Sequence, residues 1–277
     1  MIYNNKGGLS LNGKKMWARE LTAVRYSIPI RACRTPVRIL FFSDLHGASF
    51  GEGNRQLLEL ALAQRADFAA LPGDLISRDS PPETVERVCK LLAALAGAMP
   101  VYLSLGNHEQ DYLAHNGPGL RTALAQTGAI LLDQSFREIT VGGTALRIGG
   151  LSRLAWRNLS PEDNTGAYDF LKEYCGTDRL KLLLCHRPES FLPPEAAEAW
   201  PVDLILSGHA HGGLIDLPVL GRLYAPKQGL FPRLCYGLHR LGNDRMLITS
   251  GFTGSHGVPR LWNPPELVCA ELRPEEA

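Results

Sequence analysis

Five short polar clusters hold the residues of this chain whose types suit catalysis: Ser43-Asp44-Leu45-His46, Gly73-Asp74, Gly106-Asn107-His108-Glu109, Cys185-His186-Arg187-Pro188 and Gly208-His209-Ala210-His211-Gly212-Gly213. Together they contain five of the eight histidines. Taken singly each cluster is weak, because Asp-x-His and Gly-Asp arise by chance and a lone histidine is more often a hydrogen-bonded core or surface residue than a ligand. Taken together they offer two carboxylates, an amide and several imidazoles, a mixed oxygen and nitrogen set without a thiolate. Such a set suits Mn²⁺, Fe or Zn²⁺ and is too rich in nitrogen for Ca²⁺ or Mg²⁺. It also exceeds what one ion needs. Two cations about 3.5 to 4 Å apart clamp the oxygens of a phosphoryl group during in-line displacement, so the expected chemistry is phosphoester hydrolysis.

The elements that must position these clusters alternate between short apolar runs and amphipathic stretches from Val37 onward. VRILFFS (37–43), DFAALPG (67–73) and VYLSLG (101–106) read as strands, separated by helical patterns in NRQLLELALAQ (54–64) and ETVERVCKLLAALAGA after the turn signal DSPP. In the second half SFREITV and ALRIGGL flank Gly142 and Gly143 as a hairpin, and KLLLCH (181–186) and VDLILSGH (202–209) each end in histidine. YGLHRL, RMLITSG and ELVCAEL suggest antiparallel strands near the end. Each polar cluster directly follows a strand. Strand ends in one sheet lie side by side, so residues distant in sequence converge on one rim. Residues 37–273 are expected to form one α/β domain, preceded by a leader (1–36) whose LTAVRYSIPI adds an edge strand.

The order D-x-H, GD, GNHE, H, GHxH resembles the calcineurin-like metallophosphoesterase family over Val37 to about Leu272, and GGLIDLPVLGRLYAPKQGLFP with VPRLWNPPEL is similar to a bacterial branch of single-domain phosphodiesterase-like hydrolases. The resemblance implies a four-layer α/β/β/α sandwich with two mixed central sheets. By motif position it implies Asp44, His46 and His211 at a first metal, Asp74 bridging, and Asn107, His186 and His209 at a second. Mn²⁺ is the first expectation, with Fe and Zn²⁺ as alternatives. A hydroxide shared by the two cations would attack phosphorus, and His108 would serve the leaving oxygen as general acid. Gly208, Gly212 and Gly213 would let the backbone pass close to the metals.

Around this set, Glu109 reads as a hydrogen-bonded support or a solvated loop carboxylate. Asn107, Arg187 and Arg260 are the candidate substrate contacts, the two arginines balanced against a surface role. His115 and His239 read as structural or solvated, His256 as a pocket residue, Cys185 as packed core, and Trp156, Trp200 and Trp262 as core or rim. Arg78 in GDLISRD is kept, but Leu105 precedes GNHE where protein phosphatases carry an arginine, which disfavours that class. A diester carries one negative charge and needs less cationic support than a monoester, so a phosphodiesterase or pyrophosphohydrolase acting on a small or lipid-linked substrate is expected, with a phosphomonoesterase on a small metabolite as alternative. A metal-binding scaffold without turnover is the rival from another class; no ligand position is missing for it to explain.

Composition closes off other classes. Among 277 residues, 45% are hydrophobic and 21% charged, which excludes a disordered chain. The 29 Lys and Arg nearly cancel 28 Asp and Glu, leaving no large basic field for a nucleic acid or an anionic membrane surface. Leu91 to Gly106 is uncharged but interrupted by Pro100 and too short to span a bilayer, and the first 20 residues lack the apolar run of a signal peptide, so a cytoplasmic protein is expected. Six scattered cysteines without a CxxC pair are expected as reduced thiols.

Overall fold

Runs such as Leu180–Cys185 (LKLLLC), apolar at almost every position, belong to strands covered on both faces, and the fold provides that cover. The computed structural model describes residues 20–152, 166–191, 194–217, 220–254 and 260–275. The chain runs β1 (Thr22–Ile30), β2 (Val37–Phe41), α1 (Arg55–Leu62), β3 (Phe68–Leu71), α2 (Pro82–Ala96), β4 (Val101–Leu103), α3 (Asn107–Asn116), α4 (Gly119–Gln126) and β5 (Ile130–Leu131). It continues through β6 (Ser135–Val141), β7 (Thr144–Leu151), α5 (Ala167–Cys175), β8 (Leu180–Cys185), α6 (Pro194–Ala199) and β9 (Leu204–Ser207). Two small hairpins follow, β10 (Asp216–Leu217) with β11 (Gly221–Arg222) and β12 (Tyr224–Ala225) with β13 (Gly229–Leu230). The last strands are β14 (Gly237–Leu241), β15 (Asp244–Ile248) and β16 (Glu266–Pro274).

Two six-stranded sheets result, in the orders β1-β16-β2-β3-β4-β5 and β14-β15-β9-β8-β7-β6. Both are mixed: β16 runs antiparallel to β2 but parallel to β1, and β15 runs antiparallel to β14 but parallel to β9. The expected edge strand is β1, which borrows its neighbour from the far end of the chain, Thr22 opposite Glu266 through Ile30 opposite Pro274.

Three apolar clusters define the layers. Ile39, Phe41 and Phe68 from the first sheet meet Ile148, Leu182 and Leu206 from the second, so the sheets pack face to face. Leu57, Leu91 and Leu95 seal α1 and α2 onto the outer face of the first sheet, while Phe170, Leu171 and Tyr174 seal α5 onto the second. This is the expected α/β/β/α order. Local chemistry agrees, since α2 opens with Pro at its first position and buries Val88, Leu91, Leu92 and Leu95 at helical spacing. All six cysteines are free thiols. No helix among the described residues is long and apolar enough to cross a membrane.

Leu182 is fully buried between the sheets, whereas Leu62 at the end of α1 is 39% exposed. Leu182→Ala is expected to lower unfolding free energy by about 2–5 kcal/mol and Leu62→Ala by no more than about 0.5 kcal/mol, measured by urea denaturation.

Candidate functional site

The loops after β2, β3, β4, β8 and β9, together with the loop after β15, meet at one rim where the two sheets adjoin. The loop after β2 is laid against the loop after β3 by Asp44 N–H to Gly73 O (3.2 Å), His46 N–H to Asp74 O (3.0 Å) and Gly47 N–H to Leu75 O (2.8 Å). Gly208 approaches so closely that a Cβ there would lie 2.3 Å from Asp44 Oδ2. The other two glycines singled out from sequence do not crowd the candidate ligands. Both have left-handed φ, and their close neighbours are Ser250 for Gly212 and Arg222 for Gly213.

Five side chains of the expected set hang from strained backbone. Asp44 (φ 55°), His46 (46°), Asp74 (53°), His209 (66°) and His211 (46°) all occupy the left-handed region, which costs an L-residue roughly 1–2 kcal/mol. Asp and His tolerate it better than bulky residues, and such strain persists where the surrounding fold imposes it.

The structure brings the expected residues together in two triads. Asp44, His46 and His211 each place a ligand atom within 4.8 Å of the others, as do Asp74, His186 and His209; His46, Asp74 and His108 form a third group on the same terms. Asp44 and Asp74 are buried at 0% and 1% exposure. His46 Nε2 lies 3.9 Å from Asp44 Oδ1 and 3.9 Å from Asp74 Oδ2, and His211 Nε2 lies 3.8 Å from Asp44 Oδ1. These separations are too long for hydrogen bonds but suit atoms facing a common centre at about 2.0–2.2 Å. His186 Nε2 is 2.9 Å from Asp74 Oδ2 without hydrogen-bond alignment. His46, His186 and His209 each bury an Nε2 that makes no hydrogen bond.

The other ring nitrogens are tied down. Ser77 Oγ meets His46 Nδ1 at 3.3 Å, Ser43 Oγ meets His186 Nδ1 at 3.4 Å, and His211 Nδ1 faces Thr253 O at 3.0 Å. Holding one nitrogen turns the other inward. Burial keeps the imidazoles neutral: His46 is pushed down to about 2, His209 well below its ordinary value, and His186 lower despite Asp44. Burial also raises the carboxyls of Asp44 and Asp74 to about 6. Two buried carboxylates among neutral imidazoles are a site lacking positive charge, and the chemistry of the donor set fits divalent cations.

Asn107, His108 and Glu109 sit at the start of α3, a helix the hydrophobic pattern does not reveal because Glu109 is its buried residue. Glu109 is a support, not a solvated carboxylate. Its oxygens accept N–H groups of Asp74 (2.8 Å), Leu75 (2.6 Å), Ile76 (3.1 Å) and Gly106 (2.9 Å), locking the loop after β3 to α3. His108 N–H donates to Asp74 Oδ1 (2.8 Å), and Arg78 N–H donates to His108 Nδ1 (3.1 Å).

Asn107 and Arg187 are joined, Arg187 Nε donating to Asn107 Oδ1 at 3.2 Å beside a cavity of about 100 Å³ that His186, Ser152, Cys185 and Asp111 also line. Arg260 is half-buried and held by protein groups. Its guanidinium donates to the carbonyls of Ser250, Thr253, Asn263 and Pro264 and to Asn263 Oδ1, so its donors are already engaged by the loops beside His211. Thr253 O is the same carbonyl that orients His211, while Asn263 Nδ2 donates to His211 O at 2.7 Å. Sequence reading missed Asn263, Ser77 and Thr253, polar residues in loops without a motif of their own, and gave Ser43, inside its cluster, no role.

The remaining candidates fall elsewhere. His115 and His239 bond the carbonyls of Asp111 and Tyr236, as structural histidines do, and Cys185 is buried with its thiol pushed up to about 12. Trp200 is core and Trp262 is 42% exposed. His256 and Trp156 lie outside the described residues.

Comparison with known proteins agrees with this arrangement. The phosphodiesterase YaeI of Escherichia coli is 26% identical over 239 residues, covering 86% of this chain and 82% of that protein. The uncharacterized metallophosphoesterase YkoQ of Bacillus subtilis is 26% identical over 240 residues, covering 86% and 84%. Among solved structures, TT1561 of Thermus thermophilus superposes with a TM-score of 0.49 at 16% identity, over 77% of this chain and 89% of that one. The family model of the calcineurin-like phosphoesterases matches residues 37–213, from the strand before Asp44 to the glycines after His211. The chain therefore belongs to the calcineurin-like phosphoesterase family, and as an enzyme it is a phosphoester hydrolase.

Proposed function

We propose that this chain is a dinuclear metal-dependent phosphodiesterase or pyrophosphohydrolase, its domain formed by residues 37–273 with β1 added at the sheet edge. The observation that carries the reading is the pair of triads, Asp44-His46-His211 and Asp74-His186-His209, in which the buried Nε2 atoms of His46, His186 and His209 make no hydrogen bond. Asp44, His46 and His211 would hold one cation, His186, His209 and Asn107 the other, with Asp74 shared. Mn²⁺ is the first candidate, ahead of Fe and Zn²⁺, for a nitrogen and oxygen set without thiolate. Bound there, the two cations would polarise the phosphoryl oxygens and lower the pKa of a water toward neutrality.

The chain's own groups complete the chemistry. Because Arg78 N–H donates to Nδ1 of His108, the proton of the neutral ring sits on Nε2, where it can be shared with a leaving oxygen. Arg187, whose Nε donates to Asn107 Oδ1, lines the same cavity and would meet a non-bridging oxygen there. With Arg260 engaged by carbonyls, cationic support from the chain is sparse, which suits the single charge of a diester. One relative, named a phosphodiesterase, supports the same class.

The decisive test compares hydrolysis of an aryl phosphodiester with that of the matching monoester by Mn²⁺-loaded and chelated protein. Diester turnover that chelation abolishes and His108→Ala lowers by about 10²–10⁴-fold, with metal content unchanged, is the expected result. Turnover of the monoester alone would overturn the substrate class. Glu109→Gln places an NH₂ against backbone donors and is expected to cost about 1–3 kcal/mol in unfolding, with kcat falling more than KM rises.

Acid acts through the ligands. Metal binds the ionised carboxylates, and with Asp44 and Asp74 raised to about 6, protons compete as pH falls through that value. In the chelated protein the sign is opposite: a raised carboxyl stabilises the fold below about pH 4 and that contribution is lost as pH rises through 6. The gain in melting temperature on adding Mn²⁺ should therefore be larger at pH 7.5 than at pH 5, read by calorimetry.

A further inference from the structure

The near-neutral total charge conceals a local segregation. Between Leu217 and Asn243 the chain carries four of its basic residues, Arg222, Lys227, Arg233 and Arg240, and none of its 28 acidic ones. The same stretch holds most of the apolar surface. Of seven exposed large hydrophobic side chains among the described residues, five lie in it, Leu220 (64%), Tyr224 (38%), Leu230 (66%), Phe231 (58%) and Leu238 (40%), and a sixth is Trp262 (42%).

Backbone bonds gather these residues, Leu238 apart, into one platform. Asp216 N–H donates to Leu261 O (3.0 Å), Leu223 N–H to Ile215 O (2.9 Å) and Phe231 N–H to Leu223 O (2.9 Å), so the segment at Trp262 and the two hairpins lie edge to edge. Tyr224 pairs directly with Leu230 across β12 and β13, which sets both side chains on one face. Phe231 and Trp262 stand at φ 50° and 51°, a conformation that large residues avoid and that the fold imposes on these two. The platform grows out of the candidate site: Ile215 follows His211 by four positions, and Arg222 donates to Gly212 O and to Asn263 Oδ1.

The cations divide by role. Arg222 is consumed by this anchorage and by Asp216 at 3.3 Å, whereas Lys227 and Arg233 are exposed and make no ion pair among the described residues. Exposed aromatic and leucine side chains on short hairpins, flanked by unpaired cations and with Asp216 already paired to Arg222, match the boundary between acyl chains and anionic headgroups. We propose that this platform docks on an anionic lipid bilayer, with Leu230 and its apolar neighbours entering the interface and Lys227 and Arg233 meeting lipid phosphates. Docking holds the rim of His209 and His211 against that surface. Resting on the proposed phosphodiester hydrolysis, it makes the substrate class a phosphoester borne by the membrane.

The test is flotation of the full-length protein with vesicles of phosphatidylcholine alone and of phosphatidylcholine mixed equally with phosphatidylglycerol. Binding to the mixed vesicles only, weakened by salt, with a blue shift of tryptophan emission that Trp262→Phe removes, is expected. The double variants Leu230→Ser with Phe231→Ser, and Lys227→Glu with Arg233→Glu, should each lower partitioning on the order of tenfold. Both should melt as the parent does and keep its hydrolysis of the water-soluble aryl diester. No flotation with either vesicle, while soluble diester turnover persists, overturns the docking. Flotation without diester turnover leaves the docking standing and overturns the reading of the chemistry. A dimer seen by light scattering that Leu230→Ser with Phe231→Ser dissociates, without vesicle binding, assigns the face to a second copy and also overturns the docking.

Discussion

Three buried carboxylates, none of them in an ion pair with a lysine or arginine among the described residues, set the terms for everything near the site. Desolvation raises Asp44 and Asp74 to about 6 and Glu109 to about 7, and the imidazoles beside them are neutral and bring no charge. Burying an ionised carboxylate costs several kcal/mol unless hydrogen bonds and opposite charge compensate. The hydrogen bonds come from backbone: His209 N–H reaches both oxygens of Asp44, His108 N–H reaches Asp74, and four N–H groups reach Glu109. Opposite charge is what the arrangement lacks, and divalent cations are its natural complement.

That electrostatic demand explains the backbone. N–H groups can point at carboxylates only if the loops leave the strands abruptly, and the turns that do so put Asp44, His46, Asp74, His209 and His211 at positive φ. Such strain is tolerated because the strands beneath are fixed by the apolar layer between the sheets, where Phe41, Phe68, Leu182 and Leu206 are fully or almost fully buried. A helix dipole adds to the effect, since the N-terminal turn of α3 carries His108 N–H to Asp74.

What was legible in the sequence follows from this division. Strands buried on both faces announce themselves by apolar runs, so β2, β3, β4, β8 and β9 could be read directly, and the polar residues after them gave the ligand set. α3 was invisible to periodicity because its buried residue is a glutamate whose partners are backbone N–H groups. The pairing of β1 with β16 had no local signal, since parallel partners more than 200 residues apart are chosen by topology. Arg260 is a different case: nothing in the sequence around it shows that its guanidinium donates to the carbonyls of Ser250, Thr253 and Pro264, which only the fold gathers around it.

The disposition of arginines links the site to its surroundings. Burial lowers Arg260 to about 10, which leaves it charged at neutral pH, and Glu266 and Asp44 are the anions that offset the burial. Its charge acts at a distance on Asp44, while its donors hold Thr253 O, and Thr253 O orients His211. Arg222 likewise ties Gly212 and Asn263 to the hairpins. Two guanidiniums thus tie together the loops around His211 by donating to their carbonyls and to Asn263, while Arg187 lines the cavity. A site built this way gains rigidity from its arginines more than anion affinity, which leaves that affinity to the divalent cations its donor set would hold and, on the proposed docking, to the lipid surface.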